Sequence, residues 1–257
     1  MPKFAANLTT MFAELPFQDR FKAARECGFE AVEILAPYSF EIPELEKLLQ
    51  ENHLELLLIN ISPGTAGETG LAALPGKEQA FKETFDEALN YATELGARMI
   101  HTLAGRSTEN ITASSEIFVN NLKWAAEQAH KSNVNLMLEP LNNVDVPGYL
   151  HSHLSKTREL IETISADNVR LQFDFYHQQI MEGNLASNLK ENLDIIGHVQ
   201  FSSVPGRHEP QYGEVNVPFL CDYLDALGYK GFIGCEYSAK TDTRDGLSWA
   251  HAYGICA

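Results

Sequence analysis

Short apolar runs alternate with longer amphipathic ones along the chain. The short runs cover residues 4–8, 31–35, 54–59, 99–103, 135–139, 169–174, 196–201 and 232–236. Each is of strand length and largely apolar on both parities, the pattern of a parallel strand covered on both faces. The seven steps from Phe4 to Phe232 average roughly 33 residues, the size of a βα unit.

The segments between carry helical periodicity. Residues 17–26 place Phe17, Phe21 and Ala24 on one face, with Cys27 following and Gly28 as the stop. Pro43 opens the next helix, with Leu45, Leu48 and Leu49 on one side. Residues 77–95 carry Phe81, Phe85, Ala88, Leu89 and Ala92 and end at Gly96; residues 114–131 carry Ile117, Phe118, Leu122, Ala125 and Ala129. Helices over 154–164, 185–192 and 217–227 follow, the last closed by Gly228. Strand-then-helix alternation predicts an α/β fold, a single (β/α)8 TIM barrel forming one domain over 1–257. An open doubly wound sheet is the competing architecture, and no G-x-G-x-x-G follows the first strand to support it. Two long Gly-containing loops, 62–76 and 202–216, follow the third and seventh strands, on the side where barrel enzymes place their chemistry.

Composition agrees with an ordered core: 44% of the 257 residues are apolar, and there are fourteen Phe, nine Tyr and two Trp. Charge narrows the function. Nineteen Lys and Arg against thirty-five Asp and Glu leave a balance of −16, which argues against nucleic-acid and anionic-membrane partners. No apolar stretch approaches a membrane span, and the N-terminal segment lacks a secretory pattern, so a cytoplasmic location is expected. Cys27, Cys221, Cys235 and Cys256 are widely spaced with no C-x-x-C, the pattern of reduced packing thiols.

The chemistry lies at strand ends. Four consecutive late strands finish in an oxygen-bearing side chain: Glu139, Asp174, Gln200 and Glu236. Neighbouring strands lie about 4.8 Å apart, so these mouths can converge. Three carboxylates and an amide with no matching basic cluster call for a cation, and hard oxygen donors select Mg²⁺ or Mn²⁺. The plainer alternative is a set of solvated strand caps. Pro140 keeps Glu139 extended. His177 follows Asp174 by three residues and is expected at the site; His101, ending the fourth strand, either supports a ligand or touches substrate. Arg207, in a loop over the mouth, suits a substrate carboxylate. Glu209 is expected to pair with Arg207 or His208; Asn7 and Asn60 are weaker hydrogen-bonding candidates. His198 reads as structural, and His53, His130 and His251 as surface or packing residues. Glu139 and Glu236, facing each other across a cation, would shuttle a proton: the C–H between a chelated ketone and hydroxyl is acidified. That is aldose–ketose isomerisation or epimerisation through an enediolate.

The chain resembles the hydroxypyruvate isomerase family, within the xylose-isomerase-like barrel superfamily. The resemblance runs nearly end to end: Phe-Ala-Ala-Asn-Leu at 4–8, Gly-Phe-Glu-Ala-Val-Glu at 28–33 and Gly-Leu-Ala-Ala-Leu-Pro-Gly at 70–76. Gly-Arg-His-Glu-Pro at 206–210, Gly-Glu-Val-Asn at 213–216 and Gly-Tyr-Lys-Gly-Phe-Ile-Gly-Cys-Glu-Tyr at 228–237 continue it. It implies a metal on Glu139, Asp174, Gln200 and Glu236, with Glu139 and Glu236 as the acid–base pair. It implies interconversion of hydroxypyruvate and tartronate semialdehyde, or of a 2-oxo-tetronate and its 3-oxo isomer. A small anionic sugar acid is the expected partner, and a homo-oligomer is left open. His177 and Arg207 match substrate-contact positions of related ketose 3-epimerases approximately. Those enzymes commonly carry His where Gln200 stands, which favours the isomerase branch over a ketose or sugar-acid 3-epimerase. An endonuclease of the same superfamily would need more His ligands and a basic groove. A non-catalytic sugar-acid-binding barrel would have no use for paired glutamates.

Overall fold

The computed structural model describes residues 1–65, 67–107 and 110–256. Eight strands close into a barrel in sequence order: β1 (Lys3–Asn7), β2 (Ala31–Ile34), β3 (Glu55–Asn60), β4 (Met99–His101), β5 (Asn135–Leu138), β6 (Val169–Asp174), β7 (Ile196–Phe201) and β8 (Phe232–Cys235). Every pair is parallel, and β1 closes against β8. Around them run α1 (Phe17–Glu26), α2 (Ile42–Glu51), α3 (Glu78–Leu95), α4 (Ile111–Lys131), α5 (Leu154–Ile164), α6 (Phe175–Met181), α7 (Leu185–Asn192), α8 (Val217–Ala226) and α9 (Thr243–Gly246). The expected (β/α)8 barrel is the observed fold. Among the described residues, no helix is long and apolar enough to cross a membrane.

Helix ends follow local chemistry. Pro43 sits in the first turn of α2, and Gly96 ends α3 in the left-handed region at φ 75°. Asn110 accepts from the Ala113 N–H at 3.1 Å, which starts α4 three residues ahead of the predicted position. Two expectations need correction. The β6–β7 crossover holds two helices, because α6 begins directly after Asp174 with no intervening loop. After β8, where the strand-then-helix alternation implies an eighth helix, the chain makes only the short α9 and a 3-10 segment, Leu247–Tyr253. The last segment still packs: the Trp249 and Tyr253 rings each lie 5.1 Å from the Phe4 ring.

Most of the core lies between barrel and helices, where Phe81, Phe85 and Trp124 pack edge and face together. A smaller cluster unites Ala5, Ala31, Leu58 and Met137, with Met99 and Phe232 against it. Side chains two residues apart share one face of a strand. Two residues beyond this apolar layer stand Asn7, Glu33, Asn60, Glu139, His101 and Gly234. The barrel therefore changes from apolar to polar within one repeat of the strand pleat, towards its carboxyl end.

Phe85 is fully buried, and its ring lies 6.0 Å from that of Phe81 and 5.6 Å from that of Trp124. Phe85→Ala should destabilise the fold by about 3–5 kcal/mol. Chemical denaturation should show a lower midpoint at unchanged m-value; an unchanged midpoint would contradict the packing described.

Candidate active site

β5 and β8 end one residue short of Glu139 and Glu236, so both carboxyls stand just past the barrel rim. The Glu236 N–H donates to the Phe201 carbonyl at 3.0 Å, which fixes it beside β7. Asp174 closes β6 and caps α6. Its Oδ1 accepts from the Tyr176 N–H at 2.7 Å, while its buried Oδ2 has no partner. One carboxylate oxygen thus starts a helix and the other faces the site. Glu139 is 4% exposed, and its Oε1 is likewise buried and unpartnered.

Atoms of Glu139, Asp174 and His177 lie within 4.8 Å of one another. His177 Nε2 stands 3.9 Å from Glu139 Oε1 and 3.8 Å from Asp174 Oδ2. The tautomer of His177 is set from behind. The Asn142 backbone N–H points at Nδ1 at 3.0 Å and can only donate, so neutral His177 carries its proton on Nε2. His177 therefore presents a donor to the two carboxylates and fits substrate contact better than cation ligation. Burial pushes its pKa down to about 4, although Asp174 opposes the shift.

His101 Nδ1 is 3.5 Å from Glu139 Oε2, and its Nε2 is buried without a partner. Burial, reinforced by neighbouring histidines, lowers its pKa to about 3, so it is neutral at pH 7. Asn60, its β3 register partner, also has an unpartnered buried Oδ1.

Arg207 sits at φ 53°, a region that non-glycine residues rarely adopt. Its Nη2 lies 3.2 Å from Glu236 Oε1 and 3.8 Å from Asp174 Oδ2. Its guanidinium covers the Tyr176 ring at 4.6 Å, and the Tyr176 hydroxyl donates to Asp145 at 2.8 Å. Burial draws the Arg207 pKa down, but Glu236, Asp174 and Glu139 outweigh it and hold it above the usual value.

The carboxyl pKa values rise as well, which for an acid disfavours the charged form. Burial, then Asp174 and Glu236, raise the Glu139 pKa well above the ordinary range, with Arg207 opposing. Burial lifts Glu236 to about 8 against the pull of Arg207, with Asp174 and Glu33 adding to the rise. Two unpartnered carboxylate oxygens and a third carboxyl beside them are a donor set that suits a hard divalent cation.

Gln200 and Asn7 are placed differently. Gln200 faces Asp174 in the β6–β7 register, but its Nε2 donates to Glu33 Oε2 at 2.7 Å and its Oε1 accepts from Gln172 at 2.5 Å. Asn7 donates to Glu33 at 3.2 Å. Glu209 accepts from the Lys240 backbone N–H at 3.1 Å, which corrects the expected pairing with Arg207 or His208. Glu33, Gln172, Tyr176 and Asp145 were not anticipated. Glu33 shares its strand face with the apolar layer and Gln172 precedes Asp174 by two, so strand parity was the available signal.

The family model for the xylose isomerase-like TIM barrel matches residues 21–253. The chain belongs to the xylose isomerase-like TIM barrel family. Within it, the chain is 43% identical over 257 residues to the 2-oxo-tetronate isomerase of Cupriavidus necator, covering 98% of this chain and 99% of that one. It is 39% identical over 263 residues to the hydroxypyruvate isomerase of Escherichia coli, covering 98% and 100%. The crystal structure of AP endonuclease, family 2, from Brucella melitensis superposes with a TM-score of 0.96 at 41% identity, covering 98% and 99%.

The raised carboxyls give this xylose isomerase-like barrel a pH signature. His101 and His177 have folded pKa values below the unfolded one, so their contribution to stability is complete above about pH 6.5. Glu139 and Glu236 have folded values above the unfolded one. Their contribution is whole below about pH 4.5 and is lost as pH rises through the raised values, about 8 for Glu236. Between pH 6.5 and 8 only the carboxyl effect operates. The unfolding free energy of chelator-treated protein should fall across that window by up to about 1.4 kcal/mol per pH unit for each proton released, read as a falling melting temperature. Glu236→Gln should flatten the slope; a melting temperature that rises with pH would contradict the assignment.

Proposed function

We propose that this protein interconverts a small 2-oxo acid bearing an adjacent hydroxyl with its aldehyde or 3-oxo isomer. Hydroxypyruvate and 2-oxo-tetronates are the substrate class. The isomerase class follows from full-length relatives at about 40% identity. What carries the chemical reading is the pair Glu139 and Glu236, two carboxyls at the ends of β5 and β8 whose proton affinity is raised towards neutrality.

Glu139, Asp174, Gln200 and Glu236 would hold Mg²⁺ or Mn²⁺, and the partnerless Oε1 of Glu139 and Oδ2 of Asp174 support this set. When bound, the cation would supply Lewis-acid polarisation of the substrate carbonyl. Glu139 or Glu236 removes the C3 proton as a carboxylate, leaving an enediolate across C2 and C3. The proton returns to C2 while the C3 hydroxyl proton passes to the C2 oxygen, so hydroxypyruvate becomes tartronate semialdehyde with atoms and electrons conserved. His177 Nε2–H donates to a substrate oxygen, and neutral His101 with Asn60 accepts substrate hydroxyls. Arg207 reads the carboxylate: an anionic ligand replaces part of its attraction to Glu236. The −16 balance also argues against a nucleic-acid substrate.

Two experiments test these roles. Glu236→Gln should keep the fold and lower exchange of the substrate C3 proton with D₂O by roughly 10²–10⁴-fold, followed by proton NMR; exchange at the parent rate removes Glu236 from the mechanism. Arg207→Ala should raise KM for hydroxypyruvate by roughly 10–100-fold, as expected for a charged hydrogen bond of about 1.5–3 kcal/mol. A neutral ketose should be affected much less, and equal losses for both substrates would refute carboxylate recognition.

A further inference from the structure

Glu33 lies on β2, fully buried, and is one of the few charged groups inside the barrel. Its carboxylate is saturated with donors from other strands. His198 Nε2 stands 2.5 Å from Oε1; Gln200 Nε2 and Asn7 Nδ2 donate to Oε2 at 2.7 and 3.2 Å. β8 makes room for it: a Cβ on Gly234 would fall 2.2 Å from Glu33 Oε1. A buried carboxylate held this way is an expensive means of filling a barrel that apolar side chains fill elsewhere.

Its effect on Gln200 is specific. A carboxylate only accepts hydrogen bonds, so the end of the Gln200 amide facing Glu33 must be the NH₂. The amide oxygen is thereby turned the other way, where Gln172 Nε2 meets one of its two lone pairs at 2.5 Å. Donation to an anion also draws electron density onto that oxygen, which makes a neutral amide a better ligand.

We infer that Glu33 is a positioning residue: it orients and polarises the Gln200 amide so that its oxygen, and not its nitrogen, serves the cation site. This rests on the metal reading proposed above. The pair His198 and Gly234 holds Glu33 in place, and Gln172 extends the same chain from β6.

Isothermal titration with Mn²⁺ tests it, with circular dichroism to confirm folding. Parent protein should bind Mn²⁺ and Glu139→Ala should not. Glu33→Gln should weaken binding by roughly 10–100-fold, the usual effect of losing a group that orients a ligand. The double variant Glu33→Gln/Gln200→Glu keeps the net charge and places two equivalent oxygens at position 200, where orientation no longer matters. It should regain binding to within a few-fold of the parent. Should Glu33→Gln fail to fold, Glu33→Asp, which keeps the charge but withdraws it by one methylene, should show the same weakening. Parent-level Mn²⁺ binding in folded Glu33→Gln or Glu33→Asp, or no recovery in the folded double variant, overturns the positioning role and leaves the metal site standing. Absence of Mn²⁺ binding by the parent overturns both.

Discussion

A single buried anion organises the interior of this barrel. Glu33 draws hydrogen bonds from β1 and β7 and takes the space left by a glycine on β8, so one carboxylate of β2 ties three other strands of the ring together. An unpaired charge at that depth would be costly, and each donor around it must therefore keep its place. The strand register that satisfies Glu33 also sets Gln200 opposite Asp174 and Asn7 opposite Glu33. The placement of Gln200 at the mouth is thus joined to the satisfaction of the Glu33 charge.

Elsewhere at the mouth the rule reverses. Glu139 and Asp174 each keep one buried oxygen without a partner, and neutral His101 keeps a free Nε2. These are groups that folding leaves unsatisfied for a ligand to complete. Arg207 restrains the resulting repulsion from a loop residue held at positive φ, and so strain and charge balance meet in one side chain. Asp174 shows how closely scaffold and site are joined, since one carboxylate both begins α6 and faces His177 one turn later.

The eight strands were legible because strands covered on both faces read as unbroken apolar runs, and their carboxyl ends were marked by Glu139, Asp174, Gln200 and Glu236. Pattern failed where the signal was not local. α6 follows β6 through Asp-Phe-Tyr-His without a turn residue, so no punctuation announced it. Glu33 looked like a residue of a family motif because its partners, His198 and Gln200, lie 165 and 167 positions away. Glu209 was misassigned because its neighbours in sequence were basic, whereas its acceptor capacity is used by a backbone amide of the β8 loop. The tautomer of His177 depends on the Asn142 backbone, a fact of three-dimensional placement alone.

The span between Glu33 and its partners bears on how the chain is made. At a synthesis rate of roughly 5–20 residues per second, the 165 residues from Glu33 to His198 take roughly 8–33 seconds to emerge. Throughout that interval the nascent segment holding β1 and β2 contains a carboxylate that has Asn7 beside it but not its β7 partners, His198 and Gln200. Water must solvate it meanwhile, and burying it before β7 arrives would leave it short of the donors that it has in the finished barrel. The charge that ties the finished barrel together is thus fully satisfied only once the seventh strand is present.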